Sequence, residues 1–221
     1  MTLPLIVDPE AFVQRLDDDQ LVIVDVGKLA LYQQAHIPGA RFLDYGHLVA
    51  NSGRTHGLLP DRGHLEALFS SLGITRETHV VACDDEGGGK AARLVWTLHC
   101  AGHDKASLLN GGLHTWLNEG FPHTPETGTI EPARFEYHEN PAPVISGDEI
   151  LERIDDSRLQ LLDARSLAEY NGEYGATISD LTDKIGKMDI QGPASAKPAT
   201  AMVMIMVTKR TTPRYGLPCQ R

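Results

Sequence analysis

The sequence predicts an α/β fold: a parallel sheet covered by helices, followed by an incomplete second copy of the same pattern. Three observations carry this. LVIVDV (21–26) and HVVAC (79–83) are continuous apolar runs, the pattern of strands buried on both faces. Helix-spaced segments alternate with them, which places the strands in a parallel, helix-covered sheet. LQLLDARSLAEY (159–170) then repeats the pattern of LVIVDVGKLALY (21–32), an apolar strand ending in Asp and a short loop ending in Tyr.

In chain order, PEAFVQRL (9–16) follows Asp8 and reads as a short helix with an acid at its cap. AHIPGARFLDY (35–45) opens on a Pro38-Gly39 turn and continues as a short strand. HLEALFSSLGI (64–74) has helical spacing and stops at Gly73. GKAARLVWTLHCAGH (89–103) is helical, and SLLNGGLHTWLNEGFP (107–122) is a strand, a Gly-Gly turn and a helix in which His114 and Trp116 pack. Residues 124–144, rich in Pro, Glu, Thr and His, read as a linker or an extended crossing segment. SGDEILERID (146–155) is a helix with Ser146 placed to cap and Glu149 three residues on.

Composition excludes several classes. Hydrophobic residues make up 41% and charged residues 23%, which is ordinary for a soluble globular chain. A net charge of -10 opposes nucleic-acid binding, which needs a basic face. The N-terminus lacks a signal-like basic region, and the apolar run 201–207 is too short to span a bilayer, so a cytoplasmic location without membrane association is expected. The three cysteines, Cys83, Cys100 and Cys219, have neither disulfide nor metal spacing, and no metal or cofactor is expected.

The central stretch is VVACDDEGGGKAARLVW (80–96). Cys83 and Cys219 are the candidate nucleophiles. Cys83 reads better as a small apolar residue ending a strand, since Asp84, Asp85 and Glu86 raise a thiol pKa and repel an anionic donor. Gly87-Gly88-Gly89-Lys90 lacks phosphate-loop spacing, and Cys83 stands ten residues before Arg93, not at the spacing of a cysteine phosphatase. Cys100 reads as a core residue. His36 reads as a structural hydrogen-bonding group in its turn, and Asp25 and Asp163 as acceptors for loop amides.

IVDV (23–26), AHIPGARFLDY (35–45), VVACDDEGGGKAARLVWTL (80–98) and LLNGGLHTWLNEGFP (108–122), with a second start at LLDARSLAEYNGE (161–173), resemble the two-domain rhodanese family of sulfurtransferases. The resemblance implies a rhodanese-like domain of the catalytically silent type at 5–123, a linker at 124–144 and an incomplete second domain at 145–221. It implies a catalytic cysteine opening a tight strand-to-helix loop, where amide N–H groups favour its thiolate. That thiolate takes sulfane sulfur from thiosulfate or a similar donor and passes it, as a persulfide, to cyanide or a thiol. Here Asp84 holds the nucleophile's position, and Arg165 is placed to help hold an anionic donor.

After Glu173 the resemblance ends. Residues 174–221 hold no second His-Ile-Pro-Gly-Ala turn and no Cys-loop. No acid follows Asp189, and four of the five methionines lie in this tail. A frame change, a truncated gene or a divergent ending would each produce this. The expected function is therefore sulfur transfer by family, impaired by the missing Cys loop; the alternative is a silent binding or regulatory module. Expected partners are a small sulfur-containing anion or thiol acceptor, and a basic protein that an exposed acidic loop at 84–86 would suit.

Overall fold

Two apolar strands at the centre of the sheet organise the structure, a computed structural model that describes residues 3–52, 55–156, 159–163 and 201–205. The elements are β1 (Ile6–Val7), α1 (Pro9–Phe12), β2 (Leu21–Asp25), α2 (Leu29–Tyr32), β3 (Arg41–Phe42), β4 (Ala50–Ser52), β5 (Thr55–Leu58), α3 (Arg62–Ser71), β6 (His79–Cys83), α4 (Gly89–Cys100), β7 (Ala106–Leu109), α5 (Gly112–Asn118), α6 (Gly147–Glu152), β8 (Leu159–Asp163) and β9 (Ala201–Ile205). The chain divides into two units, Met1–Ala50 with Leu59–Pro143, and Asn51–Leu58 with Val144–Arg221.

In the first unit the sheet order is β1-β7-β6-β2-β3, all parallel. β2 and β6 sit in the middle with Val24 opposite Ala82 and Asp25 opposite Cys83. Successive side chains of a strand point to opposite faces. Val22, Val24, Val80 and Ala82 therefore pack with Leu65, Phe69, Leu94 and Leu98 of α3 and α4. Ile23, Val81 and Cys83 pack on the other side with Phe12, Tyr32, Leu113 and Trp116. Burial on both faces is why these runs are uninterrupted by polar residues. β4 and β5, which apart from Ala50 belong to the second unit, pair with each other as a two-stranded sheet among the described residues.

Local chemistry sets the helix ends. Asp61 caps α3 by accepting from the His64 amide at 3.0 Å. Asp8 precedes α1 but makes no cap; its carboxylate accepts from Asn110 Nδ2 at 2.8 Å instead. His114, read from the sequence as a packing residue, is exposed, because α5 turns Leu113 and Trp116 into the core and leaves the position between them outward.

The proline-rich segment read as a linker or an extended crossing segment runs along the first unit. The Ala133 amide donates to Ser70 O, His138 N to Ala101 O and Asn140 N to Cys100 O. Ser70 lies in the last turn of α3, where its carbonyl also accepts from Gly73 N, and Cys100 and Ala101 end α4, where helical partners for the carbonyls run out. Phe135 inserts into the core and meets Phe69 edge-on at 5.0 Å. Trp96 Nε1 donates to Pro143 O at 3.1 Å. The segment has no regular structure of its own, yet its backbone is partnered.

In the second unit Ser146 and Glu149 form the expected capping box on α6. β8 pairs in parallel with β9, from Leu159 opposite Ala201 to Asp163 opposite Ile205. The apolar run near residue 201 is thus a strand in a sheet of two among the described residues.

At the start of β6, His79 Nε2 lies 2.7 Å from Ser107 Oγ, which in turn donates to Pro4 O at 2.6 Å. Burial, then the charges of His103, Arg15 and Lys105, push the His79 ring down to about 4. Burial also lowers His99 and His103. The unfolded chain takes up these protons near pH 6.5, so between the two values it binds more protons than the folded chain. This stability is complete above the unfolded value and is lost as pH falls toward about 4. Moving from about pH 7.5 to about pH 5 is expected to cost on the order of 1–2 kcal/mol through His79 alone, read as a lower urea midpoint that His79→Gln makes less pH-dependent. Equal midpoints at the two pH values would contradict this assignment.

Candidate functional site

Ligands of open parallel sheets bind beyond the carboxyl ends of the strands, where the strand order reverses direction. Here that place lies between β2, whose chain moves on to β3, and β6, whose chain moves on to β7. The loops meeting there are Val26–Lys28 and Asp84–Gly88.

The second loop is wound tightly. Gly87 and Gly88 have φ of 92° and 96°, a region that only glycine enters freely, and Gly88 caps α4. The winding turns successive amides inward onto one acid. Asp84 Oδ1 accepts from Glu86 N at 3.1 Å and Gly88 N at 2.8 Å, and Oδ2 from Ala91 N at 3.0 Å. The carboxylate thus sits on the N-terminus of a three-turn helix, where a negative group is favoured. It is 1% exposed. Its carbonyl accepts from Leu113 N, and a side-chain carbon at Gly112 would strike that carbonyl, so the Gly111-Gly112 turn is part of the same construction.

Two further acids flank it. Asp85 Oδ1 accepts from Lys28 N at 3.2 Å, and Lys28 Nζ stands 3.5 Å from its other oxygen. Asp25 Oδ1 accepts from Gly27 N at 2.7 Å, while its buried Oδ2 has no hydrogen bond. Burial pushes the Asp25 carboxyl above the usual carboxylate range; Asp85 and Asp84 add to this, and the Gly27 amide and His36 oppose it. A carbon added at Gly27 would lie 2.9 Å from Asp25 Oδ1 and 3.0 Å from Asp85 Oδ1, so glycine permits the two loops to close on each other.

Each sequence candidate now has a place. Asp84 fills the cradle itself. Cys83, one residue earlier, points into the core and is completely buried; burial first, then Asp25 and Asp84, push its thiol well up. A thiol so placed is protonated and inert. Arg165 and Cys219 lie outside the described residues. The expectation of an exposed acidic loop is corrected: Asp84 and Asp85 are buried because loop amides draw them inward, and only Glu86 is exposed, paired with Lys90 at 2.9 Å. Arg93 turns away from the loop, donating through Nε and Nη2 to Leu48 O and lying 4.5 Å from the Trp96 ring. Among the described residues no three or more His, Cys, Asp or Glu side chains are grouped to hold a metal. The Asp85–Lys28 link escaped the sequence reading, since 57 positions separate its residues.

What the loop can do follows from this. It gathers amide N–H groups around one negative position, and a carboxylate, which cannot carry sulfur as a persulfide, already occupies it.

Comparison with known proteins agrees with this architecture. A model of the rhodanese-like domain matches residues 8–119. A thiosulfate sulfurtransferase of Azotobacter vinelandii is 39% identical over 78% of this chain and 64% of its own. A 3-mercaptopyruvate sulfurtransferase of Mus musculus is 34% identical over 64% of this chain and 48% of its own. A crystal structure of a 3-mercaptopyruvate sulfotransferase from Escherichia coli superposes with a TM-score of 0.67 at 26% identity, over 77% of this chain and 69% of that one. The chain therefore spans less than two thirds of the length of these two curated relatives.

Removing the occupant should expose the cradle. Asp84→Ala is expected to destabilise the first unit by about 2–4 kcal/mol, since amides are left buried without an acceptor. Sulfate should recover part of that loss by entering the cradle, so melting temperatures in sulfate and chloride should differ more for the variant than for the parent. Equal responses would mean that the cradle holds no anion.

Proposed function

The chain belongs to the rhodanese-like family of sulfurtransferases, and from this premise we propose that its first unit is a catalytically silent form of the fold, in a polypeptide of a lineage that moves sulfane sulfur from thiosulfate or a similar donor to cyanide or a thiol. One observation supports the silence above all others: the Asp84 carboxylate accepts the amides of Glu86, Gly88 and Ala91.

The chemistry needs a thiolate where that carboxylate sits. A cysteine thiolate attacks the outer sulfur of thiosulfate, the S–S bond breaks, and sulfite leaves with the bonding electrons. The enzyme then carries a persulfide, and cyanide or a thiolate takes the outer sulfur and regenerates the thiolate. Amides at a helix N-terminus favour the anionic sulfur in both states. In this chain they are spent on Asp84. The adjacent Asp85, and Asp25 behind it, oppose any further anion.

The same observation favours a second reading, a binding or regulatory module without turnover. Lys28, with its side chain 68% exposed at the mouth of the crevice, is the cation there best placed to meet a partner or a sulfur-bearing anion. A reducing, cytoplasmic setting belongs to both readings, supported by Cys83 and Cys100 being free thiols. Arg165 and Cys219 enter the proposal as an anion-binding residue and a spare thiol of the second unit.

Thiocyanate formation from thiosulfate and cyanide by the full 221-residue chain is expected to equal the no-enzyme blank. Turnover well above the blank would mean that Cys83 or Cys219 works, and the silent assignment would be wrong. Asp84→Cys places a thiol in the cradle, and iodoacetamide at neutral pH should alkylate it well before Cys83 or Cys100. A new thiol as inert as Cys83 would show that the loop no longer favours a thiolate.

A further inference from the structure

His36, in the turn ahead of β3, is completely buried. Its ring faces two backbone carbonyls: Nδ1 lies 2.6 Å from Tyr32 O, and Nε2 lies 3.1 Å from Glu126 O. A carbonyl oxygen only accepts, so each contact requires an N–H. A neutral imidazole has one N–H and an imidazolium has two. Turning the ring over would face carbon atoms to both carbonyls and satisfy neither. The hydrogen-bond pattern is that of the cation.

The surroundings suit a cation. The Tyr32 ring stacks on the imidazole at 3.8 Å and 10°. Tyr32 donates its hydroxyl to Ala40 O, and burial followed by the Asp25 charge holds it in the phenol form. From β2, Asp25 faces His36 as its opposite charge, and Asp85 and Asp84 lie beyond Asp25. From the segment after α5, here called the strap, the Glu126 carbonyl faces the ring, while the Glu126 side chain is exposed. His36 also exchanges two backbone hydrogen bonds with Thr124, each 2.9 Å. One residue thereby fastens the point at which the chain leaves α5 for the strap.

We infer that His36 is a buried imidazolium clasping residues 124–126 to the turn before β3, and that losing one ring proton opens the side-chain half of the clasp. With a single N–H left, one carbonyl faces a ring lone pair. The longer contact, to Glu126 O, gives way first.

The test uses the full chain labelled with 15N-histidine. At neutral pH both ring nitrogens of His36 are expected to resonate as protonated. As pH rises and the ring becomes neutral, amide exchange at Thr124 and Glu126, corrected for base catalysis, should accelerate about tenfold or more, the weight of one hydrogen bond to a charged group. Val81, in the central strand, should keep its protection. A ring with one bare nitrogen at neutral pH overturns the inference. So does a ring that keeps both protons until the chain unfolds, or strap exchange that ignores the ring's titration. His36→Gln, which cannot donate in both directions at once, should give fast strap exchange at every pH.

Discussion

A carboxylate held by backbone amides at the head of a helix is the interaction on which the geometry of this site depends. Asp84 gathers the amides of Glu86, Gly88 and Ala91, and this lets the loop take the left-handed turns of Gly87 and Gly88. The loop then delivers α4 against α3, and it presents the Asp84 carbonyl to Leu113 at the start of α5. An architecture that in its relatives accompanies sulfur chemistry is here satisfied from within. The loop turns amide donors toward one negative position, and a side chain of the chain itself fills it.

Burying that charge has consequences for its neighbours. Three acids, Asp25, Asp84 and Asp85, lie buried at one crevice. Each has a different local remedy. Asp84 has amides and a helix end, Asp85 has the amide and ammonium of Lys28, and Asp25 has the Gly27 amide with His36 nearby. Neutral and cationic histidines serve opposite purposes in this molecule. His79 is kept uncharged by burial at the far end of β6, whereas His36 sits between carbonyls and an acid that suit its charged form.

Much of this was legible in the residues. β2 and β6 announced themselves as unbroken apolar runs, and the DDEGGG loop stood out as three acids and three glycines between a strand and a helix. The capping box at Ser146 and Glu149 follows from spacing alone. The inward turn of Asp84 and Asp85 was hidden, because three consecutive acids read as a solvated face until the partners of each are known. So was the Asp85–Lys28 link, which joins loops distant in sequence. The role of residues 124–143 was hidden for another reason. A segment whose amides bind the ends of someone else's helices has no periodicity to betray it, and Phe135 is a lone aromatic in a polar stretch.

That segment also separates two meanings of a domain boundary. The region matched by the rhodanese-like model ends at residue 119, but the first unit extends to Pro143. A fragment stopped at the earlier point would remove the amides that meet the Cys100 and Ala101 carbonyls, strip Phe135 from Phe69 and take away the carbonyl that meets Trp96 Nε1. The stretch that the family model recognises is thus shorter than the stretch that closes the core of the first unit. Gene fusions or swaps made at the recognisable edge would inherit a domain missing its outer hoop.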